Sequence, residues 1–193
     1  MTLKEIVAKL AGRAPEEIGA DFSLNSPGLE GSMRRALLVA SIRRHLKKDA
    51  MQAALAGTYA ELEALVEGKP APPKAPAAPL ADFPGLRCGV DLEELSKFPG
   101  DFRSDEFYAS SFSPAEIEHC LGQENPRAHF AARWCAKEAL KKCDPAFLET
   151  PMAGIEVLRS AQGGVFLQAG GRRLPHAVSL SHTEHWAVAF VVK

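Results

Sequence analysis

Hydrophobic and polar positions divide the chain into two stretches with different periods. Before residue 68, apolar residues recur every three or four positions, which is typical of helices that pack through one face. The first such stripe comprises Leu3, Ile6, Val7 and Leu10. Further helices are expected to begin at Ser32 and Thr58, each opened by a hydroxyl side chain. Residues 1–67 therefore predict a small helical bundle.

Beyond residue 84 the pattern is mixed, with short apolar runs on either side of two longer helical stretches. The alternation predicts strands at Leu86–Leu92, Ile155–Leu158, Val165–Gln168, Ala177–Ser181 and Trp186–Val192. Helices are expected at Pro114–Leu121 and Ala128–Lys142. Residues 85–193 therefore predict an α+β unit, in which a short antiparallel sheet packs against two helices.

The segment between these stretches, residues 68–84, begins with GKPAPPKAPAAPL. A run so rich in proline and alanine neither pairs into a sheet nor continues a helix, and it favours an extended polyproline conformation. The sequence thus predicts a semi-rigid linker at 68–84, between a first domain at 1–67 and a second domain at 85–193.

Composition narrows the classes of function. The chain has 193 residues and a formal net charge of −1, so neither nucleic acid nor a membrane surface is an expected partner. It has no apolar run long enough to cross a bilayer, and its N-terminus lacks the continuous apolar core of a signal peptide. A cytoplasmic location is therefore predicted.

Three segments of residues 85–193 have side chains suited to chemistry. The first is GVDLEE at 89–94, an apolar strand that runs into carboxylates. Residues two apart in a strand share a face, so Asp91 and Glu93 are expected to point the same way, as hard oxygen ligands suited to Mg²⁺. The alternative is a strand that simply ends in surface acids.

The second segment is the helical stretch AARWCAKEALKK at 131–142. Glu138 shares a face with small apolar residues, and a carboxylate there is expected to be partly buried and to need a partner. A neighbouring basic stripe consists of Arg133, Lys137 and Lys141. The alternative is an ordinary ion pair of Glu138 with Lys142, four positions on, beside a solvated basic face.

The third segment is VSLSHT at 178–183, in which apolar and polar residues alternate up to His182. The alternation predicts a strand that ends in a polar cluster. Adjacent serine and histidine are no sign of a hydrolase triad, because triad members meet only in the fold. An ordinary surface histidine at a strand end is the alternative.

Taken in order, these segments resemble the 4′-phosphopantetheinyl transferase superfamily. Its signature is a G-[IV]-D strand, a W/F-x-x-K-E-A helix and an S-[IL]-S-H strand, which match Gly89–Asp91, Trp134–Ala139 and Ser179–His182. The single unit at 85–193 is similar to the small holo-[acyl-carrier-protein] synthases. The resemblance implies Mg²⁺-dependent transfer of 4′-phosphopantetheine from coenzyme A to a carrier-protein serine, with release of 3′,5′-ADP. It also implies a homotrimer whose active sites lie between protomers.

The resemblance assigns catalytic roles residue by residue. Asp91 and Glu138 match the two Mg²⁺ ligands of the family. Lys142 matches the lysine that lies beside the pyrophosphate and helps the 3′,5′-ADP to leave. Glu93 matches a third acidic ligand of the surfactin-type enzymes, which the small synthases usually lack.

The resemblance also implies a coenzyme A site. Lys137 and Arg133 occupy positions at which basic residues of the family meet the phosphates of CoA. Ser181 and His182 match the strand that holds the nucleotide, next to its 3′-phosphate. These four residues are the expected CoA-binding residues of the second domain.

Residues 1–67 resemble an acyl carrier protein. Carrier proteins place their modified serine in G-x-D-S-[LM], whereas Gly28–Met33 reads GLEGSM, with glycine where aspartate is expected. Ser32 is then the candidate phosphopantetheine attachment site, and a plain N-cap serine is the alternative. Arg34 and Arg35 oppose the helix dipole at this N-terminus, which favours an anionic partner.

Two functions follow from these resemblances. The first is a transferase that modifies Ser32, a separate carrier protein, or both. The alternative is a catalytically weak or inactive trimeric module, whose degenerate carrier-like domain docks on or regulates a fatty acid or polyketide synthase.

Overall fold

The computed structural model describes residues 1–26, 28–48, 50–69, 85–161 and 163–193. The chain divides into two compact units, Met1–Ala78 and Pro79–Lys193. From residue 70 onward, the predicted linker lies outside the described residues. In the described ranges, no helix has both the length and the apolar character needed to cross a membrane.

The described residues of the first unit form three α-helices: α1 (Leu3–Ala11), α2 (Ser32–Leu46) and α3 (Tyr59–Val66). Helix α1 begins with a capping box, because Thr2 and Glu5 exchange hydrogen bonds between side chain and backbone. The helices bury an apolar core whose fully covered members include Ile6, Leu24, Leu38, Ile42 and Leu62. The helical bundle expected from the periodicity is therefore confirmed.

The second unit is α+β, as predicted. Its helices are α4 (Glu106–Ser111), α5 (Pro114–Leu121) and α6 (Pro126–Cys143). Its strands are β1 (Cys88–Glu94), β2 (Ile155–Arg159), β3 (Val165–Ala169), β4 (Arg172–Arg173), β5 (Ala177–His182) and β6 (Trp186–Val192). They form two antiparallel three-stranded sheets, ordered β1-β6-β5 and β2-β3-β4. The sequence predicted one sheet, because strand patterns identify strands but not which strands pair across long separations.

Strand β1 lies directly on helix α6. Its inner face consists of Gly89, Asp91 and Glu93, while Val90 and Leu92 face outward. A Cβ atom on Gly89 would collide with the carbonyl oxygen of Ala139, so glycine permits this close approach. The approach places the carboxylates of β1 against the middle of α6.

An aromatic cluster holds α4 against α6. The Tyr108 ring centroid lies 4.5 Å from that of Phe130, and the Phe107 ring centroid lies 5.4 Å from that of Trp134. Helix α4 was not predicted, because six residues are too few to show a helical period. The cluster holds α6 at Phe130 and Trp134 and so positions the residues of the helix that follow Trp134.

Candidate active site

The carboxylate of Asp91 is the centre of the candidate site. Its residue is 8% exposed on the inner face of β1. One oxygen, Oδ1, accepts a hydrogen bond of 2.7 Å from Nζ of Lys142. The other, Oδ2, is buried and has no hydrogen-bond partner among the described residues. Buried polar atoms without a partner are rare and call for a water or an ion.

Lys142 lies near the C-terminal end of α6, one turn after Glu138. Its Nζ also donates to the carbonyl oxygen of Val90 at 3.1 Å, while its side chain remains 52% exposed. Burial alone would lower the pKa of Lys142, but the hydrogen bond and charge of Asp91, with the charges of Glu138 and Glu93, raise it overall. Lys142 is therefore a cation at neutral pH, within the field of all three carboxylates.

Glu93 has a partner of its own. Its Oε2 accepts a hydrogen bond of 2.9 Å from Nζ of Lys97, four residues on. Throughout the described part of the chain, no group of three or more His, Cys, Asp and Glu side chains is placed to hold a metal ion. The two carboxylates near Lys142 that remain candidate metal ligands are therefore those of Asp91 and Glu138, because that of Glu93 forms an ion pair with Lys97.

The donor set of Asp91 and Glu138 fits Mg²⁺. Magnesium is typically held by one or two carboxylates, keeps several waters and takes further oxygens from substrate phosphates. A two-carboxylate set with one buried, unpartnered oxygen matches that demand. The chemistry of the residues therefore suits a hard cation without a full protein cage.

Lys137 does not fit the role expected for it. The side chain is fully buried, and its Nζ donates to the Ser111 carbonyl oxygen at 2.8 Å, to Oε2 of Glu116 at 2.7 Å and to the Met152 carbonyl oxygen at 3.0 Å. An ammonium group has three N–H donors, so none is left for a phosphate of CoA. Lys137 is therefore an interior residue and not part of a solvated basic face, and it has no donor to offer a phosphate.

Glu116 completes this interior network. Its Oε1 accepts from the backbone N–H of Val157 at 3.0 Å, and its Oε2 accepts from that of Ser113 at 2.9 Å. Both oxygens are therefore engaged in addition to the ion pair with Lys137. The network ties the start of α5 and the middle of β2 to the middle of α6.

Arg133 is also buried rather than solvated, at 4% exposure. Its Nη1 donates to the carbonyl oxygen of His129 at 3.3 Å. The other two expected CoA-binding residues, Ser181 and His182, are exposed at the end of β5. The ring of His182 lies 5.1 Å, between centroids, from that of His129. The helix and the strand thus bring Arg133 and His182 into one neighbourhood.

Sequence reasoning missed His119 and His129. No motif contains them, and they come together only because α5 and α6 pack beside the end of β5. Their ring centroids are 6.1 Å apart. Burial, then the charges of His182, Arg133, His119 and Arg159, lower the pKa of His129 to about 4.

Comparison with known proteins decides the family. The sequence model described as 4′-phosphopantetheinyl transferase superfamily matches residues 87–191. The chain belongs to this superfamily. The transferase motifs lie on β1, α6 and β5, the elements that carry Asp91, Lys142 and His182.

Individual relatives of this transferase cover the same part of the chain. It is 35% identical over 116 residues to a holo-[acyl-carrier-protein] synthase of Moorella thermoacetica, a match that spans 54% of this chain and 90% of the relative. It is 34% identical over 126 residues to the holo-[acyl-carrier-protein] synthase of Koribacter versatilis. This match spans 55% of this chain and 96% of the relative. The solved complex of Chronobacterium ammoniagenes ACPS with CoA matches 56% of this chain and 96% of its own, with 28% identity and a TM-score of 0.46.

Proposed function

We propose that this transferase moves 4′-phosphopantetheine from coenzyme A to a serine of a carrier protein and releases 3′,5′-ADP. The superfamily match and the relatives named holo-[acyl-carrier-protein] synthase support this reaction. The observation that carries the proposal is the buried Asp91 carboxylate, which has one oxygen on the Lys142 ammonium and one oxygen unpartnered. Such a carboxylate beside a polyanionic substrate requires a cation between the two.

Asp91 and Glu138 would hold that cation, Mg²⁺. When bound, Mg²⁺ supplies charge neutralisation at the pyrophosphate of CoA. Lys142 keeps its positive charge and a half-exposed side chain, so it can meet the phosphate oxygens as the 3′,5′-ADP leaves. Glu138, a carboxylate of α6, would accept the proton of the attacking serine.

The nucleotide of CoA is proposed to lie at the end of β5. Ser181 and His182 are exposed there, and the buried Arg133 guanidinium lies behind them in the neighbourhood of His129. Lys137 is left out of this assignment, because its three donors are all engaged in the interior.

We also propose that the transferase is a homotrimer. Supporting this, the outer face of the β1-β6-β5 sheet exposes large apolar side chains: Val90 at 53%, Leu92 at 56%, Trp186 at 46% and Phe190 at 45%. Val90 and Phe190 are paired in register, so the patch is continuous across two strands. Contiguous exposed apolar surface marks an interface. Sedimentation of the chain and of Phe190→Asp tests this: the substitution should give a monomer, and a parent chain that is monomeric contradicts it.

Ser32 is the proposed acceptor within the chain. Helix α2 starts at Ser32, but its N-cap position is occupied by Gly31, so no side chain caps this end of the helix. A capping role therefore does not account for the serine, contrary to the alternative drawn from the sequence. Arg35 has a structural reason to be there, since its guanidinium donates to the Ala56 carbonyl oxygen at 2.7 Å and to Oδ1 of Asn25 at 2.8 Å.

The deciding experiment incubates the full chain with a fluorescent CoA analogue and Mg²⁺, with and without an unrelated apo carrier protein. Label on Ser32, lost in Ser32→Ala, supports self-modification. Label only on the added carrier supports a transferase whose first unit serves docking or regulation. No label on either protein contradicts the proposed reaction and favours the catalytically inactive module.

Carboxylate variants test the proposed metal ligands in the same assay. Asp91→Asn and Glu138→Gln should lower the rate by about 10²–10³-fold, as expected when a group that stabilises transition-state charge is removed. Glu94→Gln is the matched control, because Glu94 follows on the same strand and accepts from Ser96 instead. Full rates for both ligand variants would refute the assignment.

A further inference from the structure

An ionic cluster at the end of α6 lies outside the three transferase motifs. Its centre is Asp144, which follows the last residue of the helix and is 4% exposed. Oδ2 of Asp144 lies 2.6 Å from Nζ of Lys193 and 3.2 Å from Nε2 of His176. Its Oδ1 accepts a hydrogen bond of 3.1 Å from the backbone N–H of Ala146. The cluster thus joins the end of α6 to the residue before β5 and the residue after β6.

An aspartate is not favoured by the helix itself at this position. A negative charge at the C-terminal end of a helix opposes the helix dipole. Burial alone would raise the pKa of Asp144, but hydrogen bonds from Lys193, Ala146 and His176, with the charge of Lys193, lower it overall. Asp144 is therefore an anion at neutral pH and can only accept, so Nε2 of His176 is the donor. Since the charge does not favour the helix, its contribution lies in the elements that it connects.

Lys193 connects the two elements that carry the Asp91–Lys142 pair. Its backbone exchanges two hydrogen bonds, of 3.1 and 2.9 Å, with the backbone of Arg87, one position before β1. Its side chain binds Asp144, one position after α6. The base of the strand that carries Asp91 is therefore linked through Lys193 to the end of the helix that carries Lys142.

Lys142 lies in the part of α6 that the helix restrains least. It belongs to the last turn, and the last four carbonyl groups of a helix have no partner within the helix. Its Nζ nevertheless reaches two acceptors on β1, Oδ1 of Asp91 at 2.7 Å and the Val90 carbonyl oxygen at 3.1 Å. Both contacts depend on where the last turn lies relative to β1. A catalytic group that is misplaced by about 1 Å can lower a rate by about 10²-fold.

We propose that Asp144 and Lys193 are positioning residues, which set the ammonium group of Lys142 against Asp91 by locking the end of α6 to the base of β1. The inference rests on the proposed function, in which Lys142 meets the phosphate oxygens of CoA. Asp144 and Lys193 act through Lys142 and bind no part of the substrate. His176 is the second donor that holds the Asp144 carboxylate in place.

The test is a double-mutant cycle on the full chain with Lys193→Met, Lys142→Met and their combination. Labelling from the fluorescent CoA analogue is followed at saturating Mg²⁺ on whichever acceptor the parent chain modifies, Ser32 or an added apo carrier. Lys193→Met should lower the maximal rate by about 10–10²-fold and leave the half-saturating concentration of CoA unchanged. In the Lys142→Met background it should change the rate by less than about twofold, because the group to be positioned is gone.

Three further variants separate positioning from a general loss of structure. Lys193→Arg keeps a cation beside Asp144 and should restore most of the maximal rate. Asp144→Asn keeps an acceptor for the N–H of Ala146 and should lower the rate as Lys193→Met does, so it replaces that variant if the latter has melted at the assay temperature. Lys141→Met is the matched control. It removes a lysine of the same helical turn, which donates at 3.4 Å to the Leu148 carbonyl oxygen, and should leave the rate unchanged.

The results distinguish this inference from the proposed function. An unchanged maximal rate in Lys193→Met or in folded Asp144→Asn would overturn the positioning role. So would a raised half-saturating concentration of CoA at an unchanged maximal rate, because that pattern indicates lost substrate binding. An equal loss with and without Lys142, or no recovery in Lys193→Arg, would overturn it as well. No labelling by the parent chain would contradict the proposed function, and the inference with it.

Discussion

Two lysines of α6, Lys137 and Lys142, form ion pairs of the same length in opposite surroundings. Each Nζ lies 2.7 Å from a carboxylate oxygen, on Glu116 and on Asp91 respectively. The side chains of the first pair are both 0% exposed, whereas those of the second are 52% and 9% exposed. One pair is therefore sealed in the interior, and the other opens to solvent through its lysine.

The difference shows which pair holds the fold and which serves chemistry. All three donors of Lys137 and both oxygens of Glu116 are engaged within the protein. Asp91 keeps one oxygen without a partner, beside a lysine that solvent can reach. A saturated network can only stabilise, because it offers nothing to a ligand. An unsaturated one retains the capacity to bind a cation and a phosphate.

The largest expected effect comes from breaking the sealed pair. Lys137→Met leaves the Glu116 carboxylate buried without its cation, which should cost about 3–5 kcal/mol of the free energy of unfolding. Urea unfolding followed by tryptophan fluorescence measures it, because both tryptophans, Trp134 and Trp186, lie in the second unit. Adding Glu116→Gln should restore part of the loss.

Lys141→Met is the matched control for that substitution. Lys141 is the next lysine of α6, and its Nζ donates at 3.4 Å to the exposed carbonyl of Leu148. Lys141→Met should lower the free energy of unfolding far less than Lys137→Met does, because surface interactions contribute little to stability. Equal losses for the two variants would show that the buried pair has no special structural role.

Opening the second pair should affect the reaction instead of the fold. Lys142→Met is expected to lower kcat by about 10²–10³-fold, because it removes a cation that stabilises charge in the transition state. The half-exposed pair should contribute no more than about 1 kcal/mol to unfolding. Stopped-flow labelling of an apo carrier and urea unfolding measure the two effects. A large loss of stability with normal kcat would show that the Lys142–Asp91 pair holds the fold and does not serve the reaction.

The pH dependence of this second pair has a definite sign. Because the folded-state pKa of Lys142 is raised, the small stability that the pair supplies is fully present below the ordinary lysine pKa of about 10.4. It is lost as the pH rises through the raised value. The parent chain and Lys142→Met should therefore converge in stability only in strongly alkaline solution, which urea titrations at several pH values would show.

A third substitution tests the close approach of β1 to α6, which positions Asp91 but not the Lys137–Glu116 pair. Gly89→Ala would place a Cβ against the Ala139 carbonyl oxygen and push β1 away from α6, at a cost of about 1–3 kcal/mol. Activity should fall further than stability, because Asp91 moves with the strand. Gly100→Ala is the control, since its Cβ would meet only the end of the Arg127 side chain at 3.5 Å. Normal activity in Gly89→Ala would disprove this account of β1.

The smallest effect is expected at Glu93. Its carboxylate is bound to the partly exposed Lys97, so Glu93→Gln should change the Mg²⁺ dependence of the rate far less than Asp91→Asn does. Titrating Mg²⁺ in the labelling assay measures the difference. A loss as large as that of Asp91→Asn would make Glu93 a third metal ligand, as in the surfactin-type enzymes.

Much of this architecture could be predicted from local sequence. Helix α5 spans Pro114–Leu121 as expected, because Ser113 and Glu116 form a capping box at its start and Leu121 ends its apolar pattern. Helix α4 could not be predicted, since its Phe107 and Tyr108 are held by an aromatic cluster formed with distant residues. The predicted roles of Asp91 and Lys142 stay proposals that the geometry supports.

Periodicity and motif order are properties of the chain, so they were enough to predict the two modules, the α+β character of the second, and the superfamily to which that part belongs. The packing of the folded chain was needed to show that Lys137 is an interior residue while Lys142 faces solvent, and that His119 and His129 meet His182. Burial and hydrogen-bond partners depend on which distant elements pack together. Two lysines in one motif therefore have different surroundings that no spacing along the chain reveals.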